Sequence, residues 1–287
     1  MLSRPNTLST RPRIRPLVSL KGLVSMCALT VVVYQLAHNR RFYSALDVEL
    51  VRLLAAGGLM AVSKWFSAER YRLLVREAGV RMASADLIRL YWQGMFYNQF
   101  LPGSVGGDGF KVWQLHRHGG GSLRKLTTLT LLDRIIGLVP LVALLLIAAW
   151  ARLPQLGISG GLCLLLVLAM YAVFIGGLRW FMGWTVRQQL LLHLYSVGVQ
   201  LTQCLMTVYI VWSLGYTDDL GSYLFLFLAS SLGTALPITV GGIGIREIVF
   251  SAGASYVGIP AEQAMLIGFI VYGLSLLVAT PGGFFKS

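Results

Sequence analysis

The sequence predicts an all-α polytopic membrane protein with about six full transmembrane spans plus two broken or re-entrant helical hairpins, arranged as an inverted repeat. Three observations carry that expectation: composition, long apolar runs and a duplicated glycine-rich stretch. The 287 residues are 56% hydrophobic and 12% charged, with a mean hydropathy of +0.71. Soluble chains carry about twice that charge. The runs 126–149, 160–178 and 190–214 are each long enough to cross a bilayer. They are continuous rather than alternating, which selects helices over a barrel.

The duplicated stretch spans 101–111 and 236–246, offset by 135 positions. Both read Leu-Pro, three variable residues, Gly-Gly, one residue, Gly, one apolar residue and a cation. The first holds Pro102, Gly103, Gly106, Gly107, Gly109 and Lys111; the second holds Pro237, Gly241, Gly242, Gly244 and Arg246. Proline removes a donor and glycine admits backbone geometries closed to other residues. In lipid such a break is tolerated only against protein or a water-filled cavity. Taken singly, either stretch also reads as a surface turn. Paired breaks in two halves point to an inverted repeat with a site near the midplane.

Residues 1–16 form a basic tail with Arg4, Arg11, Arg13 and Arg15 and no acid. A transmembrane domain is expected over 17–282, followed by a short end, 283–287. Span 1 runs over 17–37, and 38–49 is a polar connection. Span 2 covers 50–66, and the charged segment 67–89 lies on the cytoplasmic side by the positive-inside rule. The aromatic arm 87–101 is too short to cross comfortably and leads into the first break. Spans 3, 4 and 5 occupy 126–150, 162–178 and 188–214. The second short arm is 220–236, its return is 248–257, and the last span is 264–279. Half one is about 50–150 and half two about 190–282, with both termini cytoplasmic. Complete crossing by the short arms is the alternative and gives eight or more spans.

Several polar residues are placed where lipid would penalise them. Asp108 and Lys111 follow the first break, and Arg246 and Glu247 end the second. Lys111 aligns with Arg246, but Ile243 stands opposite Asp108, so the cation repeats and the acid does not. The helix following a break exposes free N–H groups, which with a nearby cation can hold a phosphate. Asp133 and Arg134 lie inside span 3 and point about 100° apart, so they need not pair with each other. They face either a structural network or a wet cavity. Asn98 and Gln99 end the first arm as caps or cavity-lining groups. Gln200, Gln203 and Thr207 share one face of span 5.

Other chemistries lack support in the residues. Cys27, Cys163 and Cys204 have no metal-ligand spacing, and the four histidines do not cluster. The +13 formal charge sits at the ends of apolar runs, as topology control and anionic headgroups require. No aromatic-basic module for nucleic acid, nucleotide fingerprint or hydrolase triad is recognisable, so no cofactor or enzymatic activity is expected.

The ordered set Asn98, Leu101-Pro102-Gly103, Gly106-Gly107-Asp108, Asp133-Arg134, Gly137, Pro237, Gly241-Gly242, Gly244 and Arg246-Glu247 resembles the lysylphosphatidylglycerol synthase transmembrane family. The resemblance covers about 17–282. It implies a bacterial or archaeal inner-membrane protein that moves an anionic, aminoacylated or glycosylated lipid between leaflets. The substrate implied is a phospholipid, or a polyprenyl-linked or glycolipid intermediate, and an envelope-lipid biosynthetic enzyme is a possible partner. No stretch resembles the aminoacyl transferase part of fused members, so synthase activity is not expected. Lys111 stands where the family more often has arginine, which keeps the charge but not the planar fork. A non-transporting scaffold for an envelope-lipid enzyme and a small-solute or ion transporter are the competing readings.

Overall fold

A computed structural model describes residues 40–100, 106–152, 159–216, 218–235 and 245–285. They form nine α-helices: α1 (Arg40–Glu77), α2 (Ser84–Phe100), α3 (Gly106–His118), α4 (Leu123–Arg152), α5 (Gly160–Met182), α6 (Val186–Ser213), α7 (Leu220–Ala235), α8 (Ile245–Val257) and α9 (Ala261–Ala279). A short 3₁₀ turn, Thr280–Gly283, follows. Five helical stretches are long and apolar enough to cross a membrane: Leu50–Glu77, Leu123–Trp150, Gly160–Trp180, Val186–Ser213 and Ala261–Gly283. The protein is therefore an all-α polytopic membrane protein. The expected span 1 and the basic tail lie outside the described residues.

One expectation in the first half is corrected. The segment 40–49, read as a polar connection, is helical and continuous with the following span. The segment from Ser67, read as cytoplasmic, begins as a continuation of the same helix. Ser67, Arg70, Tyr71 and Leu74 are all buried. Their spacing of three and four residues puts them on one face of α1, which packs against α6.

The glycines of the first stretch are also corrected. Gly106, Gly107 and Gly109 form the first turn of α3 rather than the break. Gly107 is required by close approach: a Cβ there would stand 1.7 Å from the Gly94 carbonyl oxygen on α2. The α2–α3 hairpin closes because both residues at this crossing lack side chains. Pro102 and Gly103 lie outside the described residues, as do Pro237, Gly241, Gly242 and Gly244.

Two apolar clusters organise the helices. One joins α1, α4, α6, α7, α8 and α9 through Met60, Leu141, Met206, Phe227, Phe250 and Ile267. The other joins the C-terminal half of α1 to α2, α3, α4 and α6 through Tyr71, Leu87, Leu115, Leu129 and Leu192. The 3₁₀ turn is pinned on α2, where Gln93 Nε2 donates to the Phe285 carbonyl at 3.0 Å. Helix α5 is peripheral and leaves Leu164, Leu165, Leu168 and Val173 exposed, a surface suited to acyl chains. Its ends are fixed by Ser159, which accepts the Leu162 N–H, and by Gly183 in the left-handed conformation at φ 65°.

Candidate functional site

A cavity of about 780 Å³ lies between the two clusters, bounded by Met60, Leu141 and Phe227 of the first and by Tyr91 and Val112 beside the second. Its polar wall is built from helices of both halves of the chain.

Asp108 occupies the first turn of α3, where free N–H groups favour a carboxylate. The same turn is held by Asn98 of α2, whose Oδ1 accepts the Gly107 N–H at 2.8 Å. Asp108 then serves two cations. Its Oδ1 lies 2.9 Å from Lys111 Nζ, and its Oδ2 accepts Arg134 Nε at 2.5 Å. Lys111 is buried, with its ammonium 4.5 Å from the Tyr71 ring centroid and 5.2 Å from that of Tyr91. The two ring faces and one carboxylate replace the water that the ammonium gives up. Arg134 also reaches α7, where its Nη1 donates to the Ala235 carbonyl at 3.4 Å. That carbonyl belongs to the last residue of α7, immediately before the second glycine-rich stretch.

Asp133 turns the other way, as the 100° separation requires. It accepts Arg70 Nε of α1 at 2.9 Å, and Arg70 Nη1 donates to Ser196 Oγ of α6 at 3.0 Å. Both charged side chains are buried, at 7% and 6% exposure. Gly137, one turn along α4 from Asp133, makes room for this pair; a Cβ there would lie 2.9 Å from Arg70 Nη1.

Gln200 and Gln203 of α6 line the cavity. Gln200 Nε2 donates to the Gly137 carbonyl at 3.4 Å, and Gln203 Nε2 donates to Ser63 Oγ at 3.0 Å. Thr207 is fully buried and bonds back to the Gln203 carbonyl at 3.0 Å. Arg246, in the first turn of α8, also lines the cavity. The side chain of Glu247 lies outside the described residues.

Lys64 and Arg70 line the cavity but were not singled out from the sequence. A signal existed: Met60, Lys64, Ser67 and Arg70 recur every three or four residues, so the polar face of span 2 runs straight into the charged segment. Ser196 carried no such signal, since an isolated serine is ordinary in an apolar helix.

The arrangement places lysine and arginine side chains around a polar chamber inside apolar helices. It suits an anionic group that enters without its full hydration shell. No curated protein matches the chain. The family profile described as the lysylphosphatidylglycerol synthase TM region matches residues 18–283, and a multi-pass place in the bacterial cytoplasmic membrane is consistent with that match. The chain belongs to the lysylphosphatidylglycerol synthase transmembrane family, and membership supports a flippase-like role in lipid transport.

Proposed function

We propose that the chain carries a lipid headgroup between leaflets through this cavity while the acyl chains stay in the bilayer. The observation that carries the reading is the convergence of charges from both halves on one chamber. Asp108 and Lys111 come from α3, Arg246 from α8, and Arg134 bridges Asp108 to the end of α7. Lys111, Arg134 and Arg246 attract phosphate. Asp108 balances charge at the entrance to α3, and Asp133 holds Arg70 as part of the wall. Glu247 balances charge or couples to a proton.

The finer topology belongs to the same reading. Adding 17–37 to the five apolar helical stretches gives six spans. The pairs α2–α3 and α7–α8 serve as two interrupted hairpins entering from opposite sides, with both termini cytoplasmic. The short lengths of α7 and α8 support this, as does the basic character of the α3 end, where Arg117, Arg124 and Lys125 cluster. The substrate reaches the cavity from an envelope-lipid biosynthetic enzyme in the same membrane.

The test is reconstitution. Purified protein in phosphatidylglycerol-containing vesicles should raise transbilayer exchange of a labelled phosphatidylglycerol at least tenfold over protein-free vesicles. Exchange at the protein-free rate, with the protein shown to be folded and inserted, contradicts the reading.

A further inference from the structure

Helix α2 is held from two sides. One side is the 3₁₀ turn that follows α9. Gly282 of that turn is buried, and a Cβ there would be driven into the Trp92 carbonyl of α2. Gly283 sits against the Phe96 ring, whose Cε2 and Cζ would stand 2.9 Å from its missing Cβ. Phe96 also packs on Tyr272 and Leu276 of α9. Gln93 is buried and donates from Nε2 to the Phe285 carbonyl at 3.0 Å. The turn itself is fixed to α9, where Thr280 Oγ1 donates to the Leu276 carbonyl at 2.8 Å. At Gly282 backbone thus meets backbone, with no side chain between them to absorb a displacement.

The other side of α2 faces the charged cluster. Gly94 lies two positions beyond Trp92, about 200° further round the helix. A Cβ at Gly94 would stand 2.7 Å from Lys111 Cγ and 2.8 Å from its Cδ. The lysine stem therefore lies directly against the α2 backbone while its Nζ reaches Asp108 at 2.9 Å. One turn further along α2, Asn98 accepts the Gly107 N–H in the first turn of α3. The remaining neighbours of the pair are on other helices: the Tyr71 ring on α1 and the Arg134 guanidinium on α4. Where α2 sits against them decides whether Lys111 and Asp108 reach them.

We propose that the C-terminal turn is a positioning element for the Lys111–Asp108 pair, with Gly282, Gly283 and Gln93 as positioning residues. No residue of the turn lines the cavity, so it acts through α2. It sets how closely α2 approaches α3, and Gly94 and Asn98 pass that spacing on to Lys111 and Asp108. The consequence for transport rests on the lipid-transport reading above; the positioning itself does not.

The test uses the full chain with Cys27, Cys163 and Cys204 replaced by alanine and spin labels at Gly109→Cys on α3 and Leu54→Cys on α1. Both label sites are exposed. Gly282→Ala should shift the distance between the labels by about 1 Å or more, since ordinary carbon contact of about 3.5 Å must be restored. Gly268→Ala is the control for lost stability. It lies on the same last span, but its Cβ would meet Phe250 at 3.1 Å, away from α2, and the distance should stay as in the unmodified protein. Gly283→Ala should give a smaller shift that Phe96→Leu reverses, and it carries the test if Gly282→Ala does not fold. In vesicles, Gly282→Ala should slow phosphatidylglycerol exchange at least tenfold, but less than twofold when added to Lys111→Gln. An unchanged distance in the folded variants overturns the proposal, as does an equal shift in Gly268→Ala. Full additivity of Gly282→Ala with Lys111→Gln overturns it too. Absence of exchange in the unmodified protein contradicts the transport reading instead, and the label distances still decide the positioning role.

Discussion

Arg70 on α1 and Asp133 on α4 form a buried ion pair at 2.9 Å, 63 positions apart in the chain. It ties together two membrane-spanning helices at the cavity wall. Removing one partner leaves the other charged and buried. Asp133→Asn or Arg70→Met should therefore destabilise the protein by about 3–5 kcal/mol. The double variant Arg70→Met with Asp133→Leu should recover most of that loss, because two apolar side chains suit the same space. Thermal unfolding in detergent, compared across the single and double variants, checks this.

Asp108 holds Lys111 and Arg134 together, and Arg134 in turn holds the end of α7. Asp108→Asn keeps the shape but removes the charge shared by both cations. Lipid exchange in vesicles should fall about tenfold, equivalent to about 1.4 kcal/mol. A larger loss in melting temperature than in exchange rate would assign Asp108 to folding instead.

The two glycines near Asp108 should respond in opposite ways. Gly107→Ala puts a Cβ against the Gly94 carbonyl and should cost roughly 1–3 kcal/mol of stability through displacement of α3 from α2. Gly109 has nothing within 4 Å of its missing Cβ. Gly109→Ala should be neutral or stabilising by up to about 1 kcal/mol, since alanine favours the helix. Melting temperatures of the two variants, measured side by side, check the contrast.

The aromatic cage around Lys111 predicts a graded effect. Tyr71→Phe keeps the ring face 4.5 Å from the ammonium, whereas Tyr71→Leu removes it. The first should cost little through this contact. The second should cost roughly 0.5–2 kcal/mol more, read as the difference between the two unfolding midpoints.

How much of this was legible depended on the range of each interaction. The apolar runs marked all five described spans because bilayer thickness fixes their length. Asp108 and Lys111, three residues apart, were recognisable as possible partners from helical spacing alone. Arg134 as a second partner of Asp108 was not, since the contact joins α3 to α4 and depends on how the hairpin seats. Arg70 was not singled out for the same reason: its partner Asp133 is on another helix, so nothing local marked it. Of the glycines of the first stretch, Gly107 serves a close helix crossing at Gly94, a contact between two helices that spacing within the stretch does not reveal. The second stretch lies largely outside the described residues, and its likeness to the first remains a sequence relationship.

The central claim is that the headgroup travels through the cavity. Ser231 of α7 lines that cavity, and Leu168 of α5 faces outward at 58% exposure. The most direct measurement is transbilayer exchange of labelled phosphatidylglycerol in vesicles carrying the unmodified protein, Ser231→Trp or Leu168→Trp, with helicity confirmed by circular dichroism. The account predicts that Ser231→Trp falls to the protein-free rate while Leu168→Trp exchanges as fast as the unmodified protein. Undiminished exchange in a folded Ser231→Trp protein would contradict it.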